Sequence, residues 1–274
     1  MVEGSAAVRF CARGGTTKLS HLYQSDPLRV LFPRPEPREP ATGVLVTTSG
    51  GLVGGDRIDI EVSSGEGAQG RVLGQAAEKI YRSAGEDSHI NVHLQVDSGG
   101  WLEWLPQETI VFENARLRRL AVADVASGAR LLAGEIVVFG RTAMGEQVTG
   151  GLVREAWDVY RDGRLVWADA VHVDETLKAT LGAPSGFDGA VAFASLVYVG
   201  DDAAERLATA RELLGIFGGD SNLRAGATIL DDVLVIRWLG RETRRLRAAY
   251  GGFWAVFRHS VGGYPQTMPR LWDI

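Results

Sequence analysis

Short runs that alternate polar and apolar residues with period two recur from residue 57 onward, and they constrain this chain more than any other feature. That spacing puts successive side chains on opposite faces of a sheet. Arg57 to Val62 reads RIDIEV, and His89 to Asp97 reads HINVHLQVD. Further strand candidates are Trp101 to Leu105, Thr109 to Phe112, Arg116 to Val125, Arg130 to Arg141, Val191 to Val199 and Ala227 to Leu239, separated by Gly, Asp or Ser at short intervals. Arg154 to Tyr160 and Arg164 to Val173 flank Asp162-Gly163, a pair that accepts positive φ and predicts a hairpin. Asp231-Asp232 marks a second turn between apolar runs.

Helical spacing is confined to the end of the chain. Ala203 to Phe217 places Leu207, Ala210, Arg211, Leu214 and Phe217 on one side, with Asp201-Asp202 as N-cap and acidic first turn. Arg241 to Val261 carries Leu246, Ala249, Tyr250, Phe253, Trp254 and Phe257 at helical intervals. Gly251-Gly252 weakens that helix and marks where it would kink.

Composition narrows the function classes. Glycine supplies 35 of 274 residues, against a usual level of roughly 7%. With 45% hydrophobic and 23% charged residues and no period of three, this excludes a disordered tail, a coiled coil and a collagen. Cys11 is the single cysteine, so the chain makes no internal disulfide and has no Cys/His zinc pattern; it reads as a protein of a reducing compartment. The first thirty residues lack a basic start followed by an apolar run, and the longest apolar stretch, Gly189 to Gly200, is far below the roughly 20 residues a membrane helix needs. A soluble, cytoplasmic protein with no membrane partner is expected. The net charge of −5 gives no reason to expect nucleic acid. Arg34 to Pro40 (RPEPREP) is the one candidate linker and lies too near the start to separate two domains, so residues 1–274 are read as one domain.

The most distinctive local text is Ser49 to Asp56, SGGLVGGD. It meets neither the P-loop nor the dinucleotide pattern, and a strand rather than a helix follows it. Gly54-Gly55 is expected at positive φ or in close backbone contact, and Asp56 either caps that turn or lines a site. His89 and His93, four apart on a strand, span about 13 Å and read as solvated face residues, too far apart for one ion. Gly219-Asp220-Ser221-Asn222 resembles the GDS segment of one esterase class but follows a helix and lacks the partner pair near the C-terminus. Glu103, Glu108, Glu113 and Glu135 lie in or beside apolar strands, where an ionisable group needs a partner or a cavity. Glu135 is the best candidate for a functional buried carboxylate, the alternative being a salt bridge to Arg141 or Arg82. Trp101, Trp104, Trp157 and Trp167 are expected in the core.

Six segments in this order resemble the urease accessory protein UreD family, also called UreH: DPLRVLFPRPEP (26–37), SGGLVGGDRIDIEV (49–62), QAAEKIYRS (75–83), WLPQETIVFENARLRR (104–119), GEIVVFGRTAMGE (134–146) and MPRLW (268–272). The resemblance runs from about His21 to the C-terminus. It implies a mostly β fold of stacked sheets with a helical, β-helix-like strand arrangement and two α-helices near the C-terminus. It also implies a non-catalytic scaffold in urease maturation that binds apo-urease and UreF, the latter docking the GTPase UreG, and conducts transient Ni²⁺ to the urease active site, with no tightly bound cofactor.

Carried over by position, Asp56, Ser83, Glu108 and Glu135 are the polar residues within family motifs expected to line or shape the nickel passage, and Gly50, Gly51, Gly54 and Gly55 form the motif loop. Oxygen ligands hold nickel weakly compared with imidazole or thiolate, which suits a conduit. Where the family often has a proline before the first double glycine, this chain has Thr47-Thr48-Ser49. Two competing readings are a small serine hydrolase using Ser221 and a β-rich interaction module of an unrelated complex.

Overall fold

The computed structural model describes residues 1–34, 36–141, 145–174, 176–218 and 221–272. The chain opens with two antiparallel hairpins, β1 (Glu3–Arg13) with β2 (Thr16–Gln24) and β3 (Leu28–Leu31) with β4 (Ala41–Thr47). There follow β5 (Arg57–Ser64), β6 (Gln69–Gly74), β7 (Glu78–Ile80), β8 (Ser88–Val96), β9 (Trp101–Leu105), β10 (Thr109–Val111), β11 (Arg116–Val125) and β12 (Arg130–Phe139). A third hairpin joins β13 (Leu152–Arg161) to β14 (Arg164–Val173), and the chain ends with α1 (Leu177–Gly182), β15 (Ala192–Val199), α2 (Leu207–Phe217), β16 (Leu223–Leu230), β17 (Val233–Gly240) and α3 (Thr243–Gly262).

Strands β5 to β12 wind as a solenoid between two sheets. Arg57 lies opposite His89, His89 opposite Arg118 and Arg118 opposite Arg154, all in parallel pairing. On the other sheet Gln69 faces Trp101 and Trp101 faces Arg130 in the same sense. The crossover each parallel pair requires is supplied by a coil through the opposite sheet instead of a helix. The first sheet runs β14-β13-β11-β8-β5-β1-β2 and the second β16-β17-β15-β12-β9-β6-β4-β3, while β7 and β10 pair in parallel beside β12.

The first sheet buries only its inner face, so β11 alternates between half-buried and buried along its whole length. The second is buried on both faces at its centre, where every residue of β15 is buried, while its edge strand β16 is mostly exposed. Its inner side meets the first sheet through Leu102, Leu131 and Val197; its outer side meets α2 and α3 through Trp101, Leu132, Phe253 and Phe257.

The mostly β architecture matches expectation, and α2 and α3 are the two late helices. The expected strand from Ala227 to Leu239 divides into β16 and β17 at Asp231, which turns with φ 47°. Asp162 and Gly163 both take positive φ, as the hairpin requires. The expected N-cap of α2 is not formed: Asp202 accepts from the Tyr198 hydroxyl at 2.6 Å and from Arg206 at 2.7 Å, and a 3₁₀ turn precedes the helix. Helix α3 runs unbroken through Gly251-Gly252, and Gly252 makes room for α2, since a Cβ there would lie 2.7 Å from the Phe217 ring. Strands β1 to β4, β6 and β7 and helix α1 add to the expected elements. β2 is exposed or half-buried throughout, and β7 and α1 are three and six residues long, so neither alternation nor helical period marks them.

Candidate functional site

The glycine-rich loop between β4 and β5 is fastened to β7. The Leu52 amide donates to the Lys79 carbonyl at 2.7 Å, the Tyr81 amide returns to the Leu52 carbonyl at 2.8 Å, and the Tyr81 hydroxyl donates to the Gly50 carbonyl at 3.2 Å. The close approach explains the glycines. A Cβ at Gly51 would lie 2.5 Å from the Tyr81 ring, and one at Gly54 would lie 2.1 Å from Ser83 Oγ. Asp56 resolves to the cap: its Oδ1 accepts from the Val2 amide at 2.7 Å and its Oδ2 from the Val53 amide at 3.0 Å. Ser83 Oγ is engaged in its own turn, donating to the Glu86 carbonyl at 2.5 Å and accepting from the Gly85 amide at 3.0 Å.

Beside this loop a cavity of about 270 Å³ opens into the solenoid. Thr47, Gly50, Gly51 and Glu78 border it near the loop, and Ile58, Ile60, Ile90 and Val92 form its first-sheet wall. Trp104, Thr109, Arg119 and Glu135 line its inner part. Of the four polar motif residues, Glu135 alone is part of this lining. Glu108 instead accepts from Arg247 of α3, while its neighbour Gln107 accepts from Arg247 at 2.7 Å and donates to the Leu271 carbonyl at 3.0 Å. The Pro-Gln-Glu segment and the Met-Pro-Arg-Leu-Trp ending are thereby tied together.

Glu135 belongs to a buried charge cluster. Its Oε1 accepts from Trp104 Nε1 at 2.9 Å and its Oε2 lies 2.9 Å from Arg119 Nη1. Its ion-pair partner is therefore Arg119 and neither Arg141 nor Arg82; Arg141 pairs with Glu146 at 2.8 Å. Arg119 Nε stands 2.8 Å from both Glu155 oxygens, and its Nη1 donates to Thr109 Oγ1 at 2.8 Å. Glu78, beneath the loop, accepts from Thr47 Oγ1 at 2.5 Å.

Two buried carboxylates thus pair with one guanidinium, and the half-buried Glu78 acts on it electrostatically without touching it. Burial pushes Glu78 and Glu135 above the ordinary carboxylate value, with Arg119 opposing. Burial likewise pushes Glu155 up to about 7, Arg119 lowering it and Glu135 raising it further. Arg119 Nη2 and Glu135 Oε2 are buried without a hydrogen-bond partner.

A second buried cluster makes a useful contrast. Between β9 and α3, Arg258 Nη2 lies 2.9 Å from Glu103 and 2.7 Å from Glu39, and Arg71 Nη1 lies 2.7 Å from Glu39. Two guanidiniums balance two carboxylates there, as in a purely structural network. The cluster in the cavity is not balanced. Among the described residues no three His, Cys, Asp or Glu side chains are placed to hold a metal ion together.

Glu78, Thr109, Arg119 and Glu155 were not singled out from the sequence. The readable signal was alternation: Arg119 shares its strand face with Leu117 and Ala121, and Glu155 with Val153 and Trp157, so both charges occupy core positions. His93 is exposed and 2.7 Å from Asp124, in keeping with a solvated face, and Trp101, Trp104, Trp157 and Trp167 are buried. Ser221 is exposed before β16; Gly219 and Asp220 lie outside the described residues.

Residues 2–273 match the family model described as UreD urease accessory protein. The chain is similar to the urease accessory protein UreD of Magnetococcus marinus, at 46% identity over 274 residues that cover all of this chain and 94% of the relative. It is also similar to the proteins of that name from Rhodopseudomonas palustris strain HaA2, at 40% over 98% of this chain and 93% of the relative, and from Methylobacterium sp. strain 4-46, at 41% over 95% and 90%. A match that spans nearly the whole chain, together with relatives of this identity, establishes that the chain belongs to the UreD family of urease accessory proteins.

Proposed function

We propose that this chain is a non-catalytic scaffold of urease maturation that binds apo-urease and UreF, reaches the GTPase UreG through UreF, and passes Ni²⁺ through its solenoid interior toward the urease active site. Family membership carries the role in maturation. The passage rests on one observation, the excess of carboxylate over guanidinium around Glu135, Glu155, Glu78 and Arg119 beside a cavity of about 270 Å³.

Glutamate oxygens attract a divalent cation but bind nickel weakly beside imidazole or thiolate. With Arg119 dividing Glu135 from Glu155, the lining favours brief residence over storage. Asp56 and Ser83 act on this passage by holding the glycine loop at its border, and Glu108 acts through the contact with α3. The family motifs therefore build the walls of the cavity as well as its lining. No helix among the described residues is long and apolar enough to cross a membrane, and a cytoplasmic site of action fits the single-cysteine composition.

The test is copurification of the chain with UreF and UreG, followed by urease activation in a reconstituted assay with Ni²⁺. Stable complexes and nickel-dependent activation are expected. Full activation in a mixture lacking this chain would overturn the proposal.

A further inference from the structure

A second void of about 310 Å³ lies on the inner side of β15, β16 and β17, bordered by Val171, Phe193, Ser195 and Arg237. Its position relative to the first cavity follows from strand register. Ser195 of β15 lies opposite Glu135 of β12, and Val171 of β14 lies opposite Glu155 of β13. Adjacent strands are about 4.8 Å apart. The first cavity ends at Arg119 and Glu135. Register thus places the layer formed by Arg119, Glu135 and Glu155 between the strands that line the two voids. Beyond it, Arg237 pairs with Asp169 at 2.5 Å where both side chains are partly exposed.

The contacts of Arg119 are unequal. Glu155 grips it with both oxygens in hydrogen-bond geometry, whereas Glu135 meets it through one oxygen, Oε2, as an ion pair at 2.9 Å. The guanidinium is therefore held by hydrogen bonds to Glu155 and Thr109 and by a 2.9 Å ion pair to Glu135, and its Nη2 alone is left without a partner. It fills a gap between carboxylates that together outnumber it, an arrangement that attracts a further cation and resists an anion.

Resting on the nickel-passage reading, we propose that the Arg119 guanidinium is a displaceable plug: it occupies, between Glu135 and Glu155, the position a divalent cation takes in transit, and its withdrawal from Glu135 joins the two voids into one axial passage. Arg119 acts by position and charge, as a specificity-determining residue. It excludes a cation until the cation competes successfully for Glu135.

Equilibrium dialysis of the purified full chain with Ni²⁺ alone tests this. Arg119→Gln removes the plug and leaves both carboxylates, so it should bind Ni²⁺ about tenfold more tightly than the wild type. Arg119→Lys keeps the charge and should bind like the wild type. Arg119→Gln with Glu155→Gln removes the gripped pair together, leaves less uncompensated charge to disturb folding, and should show a smaller gain. Binding no tighter than wild type in whichever of the two Gln-containing variants folds overturns the proposal.

Reconstituted activation by the wild type separates the two ideas. Tighter binding in Arg119→Gln with no activation by the wild type supports the plug and removes the maturation reading. Normal activation with unchanged binding in Arg119→Gln removes the plug alone.

Discussion

A Cβ built on Gly54 would come within 2.1 Å of Ser83 Oγ, so the second double glycine of the loop and the serine of the Tyr-Arg-Ser segment are fitted to each other at contact distance. The Glu86 carbonyl stands 2.6 Å from the same point, which leaves a larger side chain no space on that side. Gly54→Ala is therefore expected to destabilise the chain by about 1–3 kcal/mol through overpacking. Ser83→Ala removes two exposed turn hydrogen bonds, to the Glu86 carbonyl and from the Gly85 amide, and should cost about 1 kcal/mol. Thermal melting of the two variants checks the order.

The charge cluster predicts a pH dependence with a definite sign. Glu78, Glu135 and Glu155 are raised, so between about 4.5 and about 7 the folded chain holds more protons than the unfolded chain. Stability from this source is complete below that window and is lost as pH rises through it, a decline on the order of 3 kcal/mol. Asp87 and Asp202 are lowered and act in the opposite sense only at more acid pH. Urea unfolding between pH 5.5 and 7.5 should show the decline, and Glu155→Gln should flatten it.

Glu135→Gln keeps the volume of the side chain and an acceptor for Trp104 Nε1 but removes the charge that faces the cavity. Nickel incorporation into urease should fall several-fold while the complex with the maturation partners persists. Parallel loss of complex and incorporation would show Glu135 to be structural.

Arg258 is fully buried and grips Glu103 of β9 and Glu39. Arg258→Met leaves Arg71 as the one guanidinium for two buried carboxylates, 2.7 Å from Glu39 but 3.8 Å from Glu103, and should cost about 3 kcal/mol in chemical denaturation. Ni²⁺ binding by the folded variant should match the wild type, because this cluster lies on the α3 side of the second sheet, away from the cavity.

Much of the architecture was readable from local pattern. Arg116 to Val125 matches β11 residue for residue, since one wet and one buried face impose alternation along the whole strand. α3 followed from its apolar spacing, although the role of Gly252 depended on Phe217 of another helix. Asp56 was legible as a turn cap because its partner amides include one only three residues away. Glu135 was legible as a buried carboxylate, yet its partner was misplaced: Arg82 and Arg141 were plausible neighbours in sequence, and Arg119 is its neighbour in space.

The sequence by itself determined the sheet-forming periodicity, the two late helices, the glycine loop and the family. Only the tertiary structure decided which charges meet. In a parallel solenoid each strand pairs with one a full coil away, so Arg119 finds Glu155 through β11–β13 register and reaches Glu135 and Thr109 across the interior. Register of this kind depends on the lengths of the intervening turns and on how inner faces pack, and a local pattern of two carries neither. Arg119 and Glu155 occupy inward positions that alternation alone would assign to apolar residues, and their pairing across the coils makes those buried charges tolerable.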